Sequence, residues 1–340
     1  MPRDKKTTDE SSKTLEEKIK DLNKIFGRDV ITNGLVDREK VSSGILTLDF
    51  LMQYMYEKRS LILFHGHEGS LKTTMALLML AEAQSRNDLC LIVDVEKGFD
   101  RERAKQLGID VDKVYLIDEP LSAEGYFEVM CNVINDFGFI LVDSTTAMVS
   151  QQVADKSLTE GVTRASLASA LSSGLGKLNY KNKNSTVLMI GQERDNPSPT
   201  GAPTYLPGGK AQKFYANYRF QFKVVEYYDE NGNVVGGTIN QTDHNPIHSC
   251  LLKITNKKNR RGEQQMAEEL IFNFKTGKID KKFEVIKIAK RLGIIEASGS
   301  WMVVPGADTK MQQKTLMEWL DDKKNYNSLR KLIDAKLKEI

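Results

Sequence analysis

Cysteine is scarce. The 340 residues hold three, Cys90, Cys131 and Cys250, odd in number and far apart. That excludes a disulfide framework and any paired-thiolate zinc spacing, and it fits a reducing compartment. Long apolar runs are missing as well: none approaches the ~18 residues that a membrane span needs. The opening stretch "MPRDKKTTDESSK" lacks the apolar segment of a secretory signal. The expectation is a soluble cytoplasmic protein with no membrane partner. Charge of one sign is also lacking, since the formal net charge is only +3. No overall basic field announces a nucleic acid. The four histidines form the pairs His65/His67 and His244/His248. Neither pair has a third ligand in view, so neither spacing defines a metal site.

What is present is the composition of a globular protein, 40% hydrophobic and 28% charged. The basic residues gather late. Between Leu251 and Arg291, twelve Lys or Arg face five Asp or Glu. Residues 1–12 are polar and predicted to be disordered. "KTLEEKIKDLNKIF" places Leu15, Ile19, Leu22 and Ile25 on one helical face, and "GRDVITNG" reads as a lone strand. This arm, residues 1–36, must bury its apolar face on its own core or on a neighbouring subunit.

From about residue 37 the pattern becomes β-α-β. "SLILFHG", "LCLIVDVE", "GFILVDS" and "STVLMIGQ" are apolar strands, interleaved with the helical runs "KTTMALLMLAEAQS" and "RASLASALSSGLGKL". Continuous apolar strands alternating with helices predict an α/β fold with a mostly parallel central sheet covered on both faces. "ERDNPSPTGAPTYLPGG" breaks the periodicity, and a loop of this length inside a compact domain is usually functional or disordered. "YRFQFKVVEYY" alternates as a strand before the turn "DENGN". Beyond Phe272 a small basic α/β unit, 273–340, is expected, with Trp301 and Trp319 in its core.

The chemistry begins at "LILFHGHEGSLKTT". Gly66, Lys72 and Thr73 fit the phosphate-loop pattern G-x-x-x-x-G-K-[ST], but Leu71 stands where its second glycine belongs. Such a loop works because backbone N–H groups at a helix N-terminus converge on phosphate oxygens. The lysine reaches the outer phosphates, and the threonine hydroxyl binds Mg²⁺. Leu71 is tolerable only if the local backbone suits it and its side chain turns away from the phosphates. Two more strands end in polar groups, "LIVDVE" at Glu96 and "FILVDS" at Asp143 and Ser144. In a parallel sheet, ligands bind at the carboxyl ends of strands. Asp143 is therefore a candidate to hold Mg²⁺ through water, and Glu96 to orient or deprotonate an attacking water. Gln192 ends a further strand, within reach of a γ-phosphate. Arg164, Lys177 and Arg194 are candidates for contacts to nucleic-acid phosphates, though a solvated helix face explains each of them equally well. Tyr205, an aromatic in the Pro/Gly-rich loop, is a candidate either to wedge between or stack on bases or to fold on the loop's own surface.

Longer strings carry a resemblance. "VSSGILTLDFLM", "EGSLKTT", "DVEKGFDRERAKQLGIDVDKV", "GGKAQKFYANYRF" and "LGIIEASGSWMVV" follow one another as the corresponding motifs of RecA-family recombinases do. The chain thus resembles that family over nearly its whole length. The resemblance implies a RecA-like ATPase core over 37–272, between a polymerisation arm and a small C-terminal domain. ATP and Mg²⁺ are the implied cofactors, held by the loop Gly66-His67-Glu68-Gly69-Ser70-Leu71-Lys72-Thr73-Thr74. Thr73 and Asp143 would be on the metal, and Asp100 and Arg103 at the base.

Glu96 is then the catalytic glutamate, and Gln192 the sensor coupling the γ-phosphate to DNA. One DNA-binding loop falls near Gln152–Thr163. A second runs from Arg194 past Tyr205 to Gly208 and Gly209. Lys213, and Lys257 or Lys258 (the latter favoured), would act on a neighbour's ATP. The implied partners are single- and double-stranded DNA, further copies in a helical filament, and recombination-mediator and single-strand-binding proteins. Three departures stand out. His67 replaces a proline, Arg103 replaces a base-stacking aromatic, and the chain ends "KLKEI" without an acidic tail. A bulky residue in place of the second loop glycine also occurs in phage-type members. A hexameric RecA-fold motor and a silent nucleotide-binding paralogue are the alternatives.

Overall fold

The structure is a computed structural model that describes residues 13–27, 30–31, 39–157, 165–196, 204–235, 247–260 and 262–339. Residues 1–12, most of the expected lone strand, His244 and Arg164 lie outside them. The chain divides into two compact units, Met1–Glu39 and Lys40–Ile340. In the first, α1 (Leu15–Phe26) opens on a capping box. Thr14 Oγ1 accepts from the Glu17 N–H at 3.3 Å, and Glu17 Oε2 accepts from the Thr14 N–H at 3.0 Å. Gly27, at φ 63°, ends the helix in the left-handed conformation that glycine adopts most easily. Leu15 and Ile25 on its apolar face stay 74% and 75% exposed.

The second unit opens with a short ladder, β1 (Lys40–Val41) and β2 (Tyr56–Glu57), around α2 (Leu46–Leu51). The buried strand β3 (Leu61–Gly66) leads into α3 (Lys72–Ser85). Then come β4 (Cys90–Asp94), α4 (Arg101–Gln106), β5 (Val114–Ile117), α5 (Ala123–Val133) and β6 (Phe139–Asp143). They are followed by α6 (Gln151–Ala154), α7 (Ser166–Lys181), β7 (Thr186–Gln192), the small ladder β8 (Arg194–Asp195) with β9 (Thr204–Tyr205), and α8 (Ala211–Tyr215). Three long antiparallel strands, β10 (Tyr218–Tyr228), β11 (Ser249–Asn259) and β12 (Ala267–Asn273), precede β13 (Lys278–Ile279). The chain closes with α9 (Lys281–Arg291), the hairpin β14 (Glu296–Ser298) and β15 (Trp301–Val303), α10 (Gln313–Trp319) and α11 (Lys323–Lys338).

One nine-stranded sheet, ordered β13-β12-β11-β10-β3-β7-β6-β4-β5, organises the unit. From β10 through β5 all neighbours are parallel, and the other edge is antiparallel. The strands β3, β4, β6 and β7 read as unbroken apolar runs because both faces are covered. One face packs Phe64 against Phe222, ring centroids 4.6 Å apart, under α3. The other packs Leu61, Leu63 and Val187 under α5 and α7. Parallel direction brings the ends of β3, β4, β6 and β7 to one edge.

The "DENGN" turn forms as read: the Asp229 N–H donates to the Asn233 carbonyl at 3.0 Å. The sheet also runs past Phe272 into β13. Trp301 corrects an expectation, since it is 49% exposed on its short hairpin and not core; Trp319 packs on the core as expected. No described helix is long and apolar enough to cross a membrane.

The small residues of α7 have a packing role. A Cβ added at Gly174 would lie 2.2 Å from the Phe127 ring of α5. Gly174→Ala gains helix propensity, ~1 kcal/mol, yet overpacking of ~1–3 kcal/mol should outweigh it. Denaturant unfolding should show a net loss of stability; a gain would mean that α5 yields freely.

Candidate nucleotide and nucleic-acid site

The site starts from a glycine that cannot be anything larger. A Cβ on Gly66 would sit 2.4 Å from the Phe222 carbonyl oxygen and 2.9 Å from Ser70 Oγ. The chain then turns through 67–70 and enters α3, whose N-cap is Leu71. Leu71 has φ 61° and ψ 18°, the left-handed conformation that a glycine takes without strain. Its side chain packs against the hydrophobic core. The sequence requirement is met in both respects: the backbone adopts the glycine conformation, and the leucine turns inward to apolar neighbours.

Lys72 is buried, with Nζ donating to the His67 carbonyl at 2.6 Å and to Ser70 Oγ at 3.1 Å. Burial pulls its pKa below the ordinary lysine value, against the pull of Asp143, Glu96, Glu193 and Glu68. The ammonium thus lies folded inside the loop, on acceptors that a phosphate would replace. Thr73 Oγ1 donates to Asp143 Oδ2 at 2.7 Å. Burial pushes Asp143 up to about 6, with Glu96 and Asp94 adding to the rise. No group of three or more His, Cys, Asp or Glu among the described residues could hold a metal alone. Mg²⁺, which keeps water and shares phosphate oxygens, suits a Thr73–Asp143 pair better than a metal needing an all-protein cage.

Glu96, at the strand end after β4, accepts from Gln192 Nε2 at 2.9 and 3.1 Å and makes a very short hydrogen bond with Ser144 Oγ. The Gln192 N–H donates to Thr146 Oγ1 at 3.0 Å. Glu96, Asp143, Ser144 and Gln192, expected from strand ends alone, therefore come together. Thr146 was missed, because a hydroxyl in a loop carries no spacing signal.

A small cleft of about 100 Å³ beside Thr73 and Thr74 is lined by Phe99, Asp100 and Arg103. Asp100 Oδ1 caps α4, accepting from the Glu102 and Arg103 N–H groups. Arg103 is engaged on the protein, with Nη1 donating to Gln106 Oε1 at 2.5 Å and its guanidinium 5.7 Å from the Phe272 ring centroid. His67, Glu68 and Gly69 are exposed along the loop.

The remaining candidates separate. Arg194 and Tyr205 are register partners in the β8–β9 ladder, both exposed. Lys177 lies on α7, with Nζ 3.8 Å from Glu128. Gly208 and Gly209 have positive φ, and added Cβ atoms would meet Leu171 at 2.4 Å and Ala168 at 2.9 Å, so packing on α7 accounts for both. Of the loop near 152–163, only 152–157 are described. Lys213 lies on α8, which Thr145 ties to the Asp143 strand end through Gln212 Oε1 at 2.6 Å. Lys258 Nζ donates to the Lys213 and Phe214 carbonyls at 2.9 and 2.8 Å, and burial lowers its pKa to about 8. The Lys257 carbonyl accepts from Arg219 at 3.4 Å.

A strand–loop–helix with lysine inside the loop, and a hydrogen bond from Thr73 in the first turn of that helix to Asp143 at a strand end, belong to an α/β protein with a mostly parallel sheet. The family follows from comparison with known proteins. The model of the RecA N-terminal domain matches residues 13–245, and the chain belongs to the RecA family. It is 28% identical over 338 residues to Protein RecA of Mesomycoplasma hyopneumoniae, covering 96% of this chain and 95% of that protein. To Protein RecA of Streptococcus thermophilus it is 30% identical over 330 residues, covering 94% and 83%. Among solved structures, the RadB recombinase superposes with a TM-score of 0.51 at 16% identity, covering 70% of this chain and 97% of that one. This last likeness is one of fold.

If position 71 is a slot for left-handed backbone, Leu71→Gly should bind a fluorescent ATP analogue within ~3-fold of the parent. Leu71→Ile, β-branched at positive φ, should melt lower and bind weakly. Equal behaviour of the two variants would contradict that reading.

Proposed function

We propose that the chain is a DNA-dependent ATPase of the recombinase kind. It would assemble on single-stranded DNA as a helical filament and catalyse homologous pairing and strand exchange with duplex DNA. One observation carries this reading: Gln192 contacts Glu96, and two residues on, Arg194 enters the exposed ladder with Tyr205. A single strand end thus joins the place for a γ-phosphate to a cation and an aromatic suited to nucleic acid. Family membership and the basic residues late in the chain support it further.

ATP with Mg²⁺ would supply the cleavable phosphoryl group and the charge that neutralises it. Residues 66–74 would hold the phosphates, with Lys72 on the outer ones, Thr73 and Asp143 toward the cation, and Asp100 and Arg103 beside the base. Glu96 would take a proton from the attacking water, held in place by Ser144 and Gln192. Binding would draw Gln192 from Glu96 toward the γ-phosphate and shift Arg194 and Tyr205 with it. Lys213 would reach a neighbouring copy's nucleotide. Lys258, anchoring the end of α8, would hold Lys213 in position. Residues 1–36 would dock on the next copy, 37–272 form the ATPase core, and 273–340 form the appended domain. The expected place of action is the cytoplasm, on DNA, with mediator and single-strand-binding proteins as partners.

Two substitutions test the assignment. Lys72→Ala should abolish ATP-dependent DNA binding. Glu96→Gln should keep nucleotide and DNA binding but slow hydrolysis ~10²–10⁴-fold. Normal turnover in either variant, measured with single-stranded DNA present, would remove that residue from the mechanism.

A further inference from the structure

Gly66 is flanked by His65 and His67, and Arg194 by Glu193 and Asp195. The neighbouring parallel strands β3 and β7 bring these flanks together. His65 Nδ1 lies 2.6 Å from Glu193 Oε1, with both side chains almost wholly buried. His67 Nε2 is 3.9 Å from Asp195 Oδ1 at the surface. Between them the Glu193 N–H donates to the Gly66 carbonyl at 2.9 Å. Glu193 is the hub. Its carboxylate also accepts from Gln221 Nε2 at 3.1 Å to each oxygen, and from Thr204 Oγ1 at 3.3 Å.

One carboxylate therefore touches the strand entering the phosphate loop, the sheet strand beyond it, and Thr204 at the start of β9, while β8 follows Glu193 directly in the chain. Burial opposes its charge, but hydrogen bonds from His65, Gln221 and Thr204 hold its pKa at about 2, so it is ionised. Burial lowers the pKa of His65, against the pull of Glu193, and its Nδ1 faces the carboxylate; its buried Nε2 has no hydrogen-bond partner among the described residues. A buried ion with three side-chain donors is stable in one arrangement, and losing a donor leaves an underpaired charge.

We propose that His65 is a positioning residue for nucleotide–DNA coupling. By fixing Glu193, it ties movement of the phosphate loop to movement of the ladder that carries Arg194 and Tyr205. The proposal rests on the reading that ATP binds at residues 66–74 and DNA at that ladder. It adds a second connection, through His65, Glu193, Gln221 and Thr204, to the one through Gln192. His65 touches neither ligand.

The test uses two substitutions of equal shape in the full-length protein. His65→Asn places an N–H donor where Nδ1 stands, and His65→Leu places a methyl there. Affinity for a fluorescent ATP analogue without DNA is compared with KM and kcat for ATP with saturating single-stranded DNA. His65→Leu should keep analogue affinity and KM within ~3-fold but lose ~10-fold or more of the DNA-stimulated kcat. His65→Asn should restore most of it. Thr204→Val, at the far foot, should reduce stimulation in the same direction, which keeps the idea testable if His65→Leu does not fold. Equal stimulation in parent and His65→Leu overturns the coupling role. So does a loss that His65→Asn does not rescue, or full stimulation in Thr204→Val. A parent protein that binds the analogue but ignores single-stranded DNA overturns the functional reading, and the coupling with it.

Discussion

The site depends on the register of two parallel strands. Gly66 faces Gln192 across β3 and β7, and the Glu193 N–H closes on the Gly66 carbonyl at 2.9 Å. A slip of that pairing would move Gln192 away from Glu96 and separate the ladder from the phosphate loop. The register is secured by packing on both faces, where a shift would move every side chain out of the neighbours it fits. It is sealed on the far side of β3, where the Phe222 carbonyl fills the space a Cβ on Gly66 would need. Polar chemistry at the sheet edge is thus set by apolar packing beneath it.

On that frame sit two groups with excess charge. Burial makes Asp143 harder to ionise than an ordinary aspartate, with Glu96 and Asp94 adding to the rise and Lys72 opposing it. Glu193, a few residues from them in the strand pairing, is held ionised by hydrogen bonds from His65, Gln221 and Thr204. Glu193 is thus satisfied by internal hydrogen bonds, whereas Asp143 has its side-chain hydrogen bond from Thr73.

Much of this was legible in the sequence. Unbroken apolar strands, a helix beginning at Lys72 and polar residues at strand ends were enough to place the parallel sheet and bring Glu96, Asp143 and Gln192 together. Leu71 was legible only as a condition, because letters do not reveal whether a leucine will accept positive φ. The hub at Glu193 was not legible. His65 and Glu193 are 128 positions apart, and nothing in local spacing pairs a histidine before a loop with a glutamate after another strand. Trp301 misled for a related reason. Tryptophan is usually well covered, but on a hairpin with three-residue strands there is little for it to pack under. Lys258 was expected to act on a neighbour's ATP; the two carbonyls that its ammonium meets at the end of α8 need the fold to be seen.

The central claim is that nucleotide at the 66–74 loop organises copies of this chain on single-stranded DNA. Electron microscopy of the protein with single-stranded DNA and a slowly hydrolysed ATP analogue tests it most directly. The account predicts open helical filaments that require both DNA and nucleotide. Closed rings, or particles unchanged by nucleotide, would contradict it.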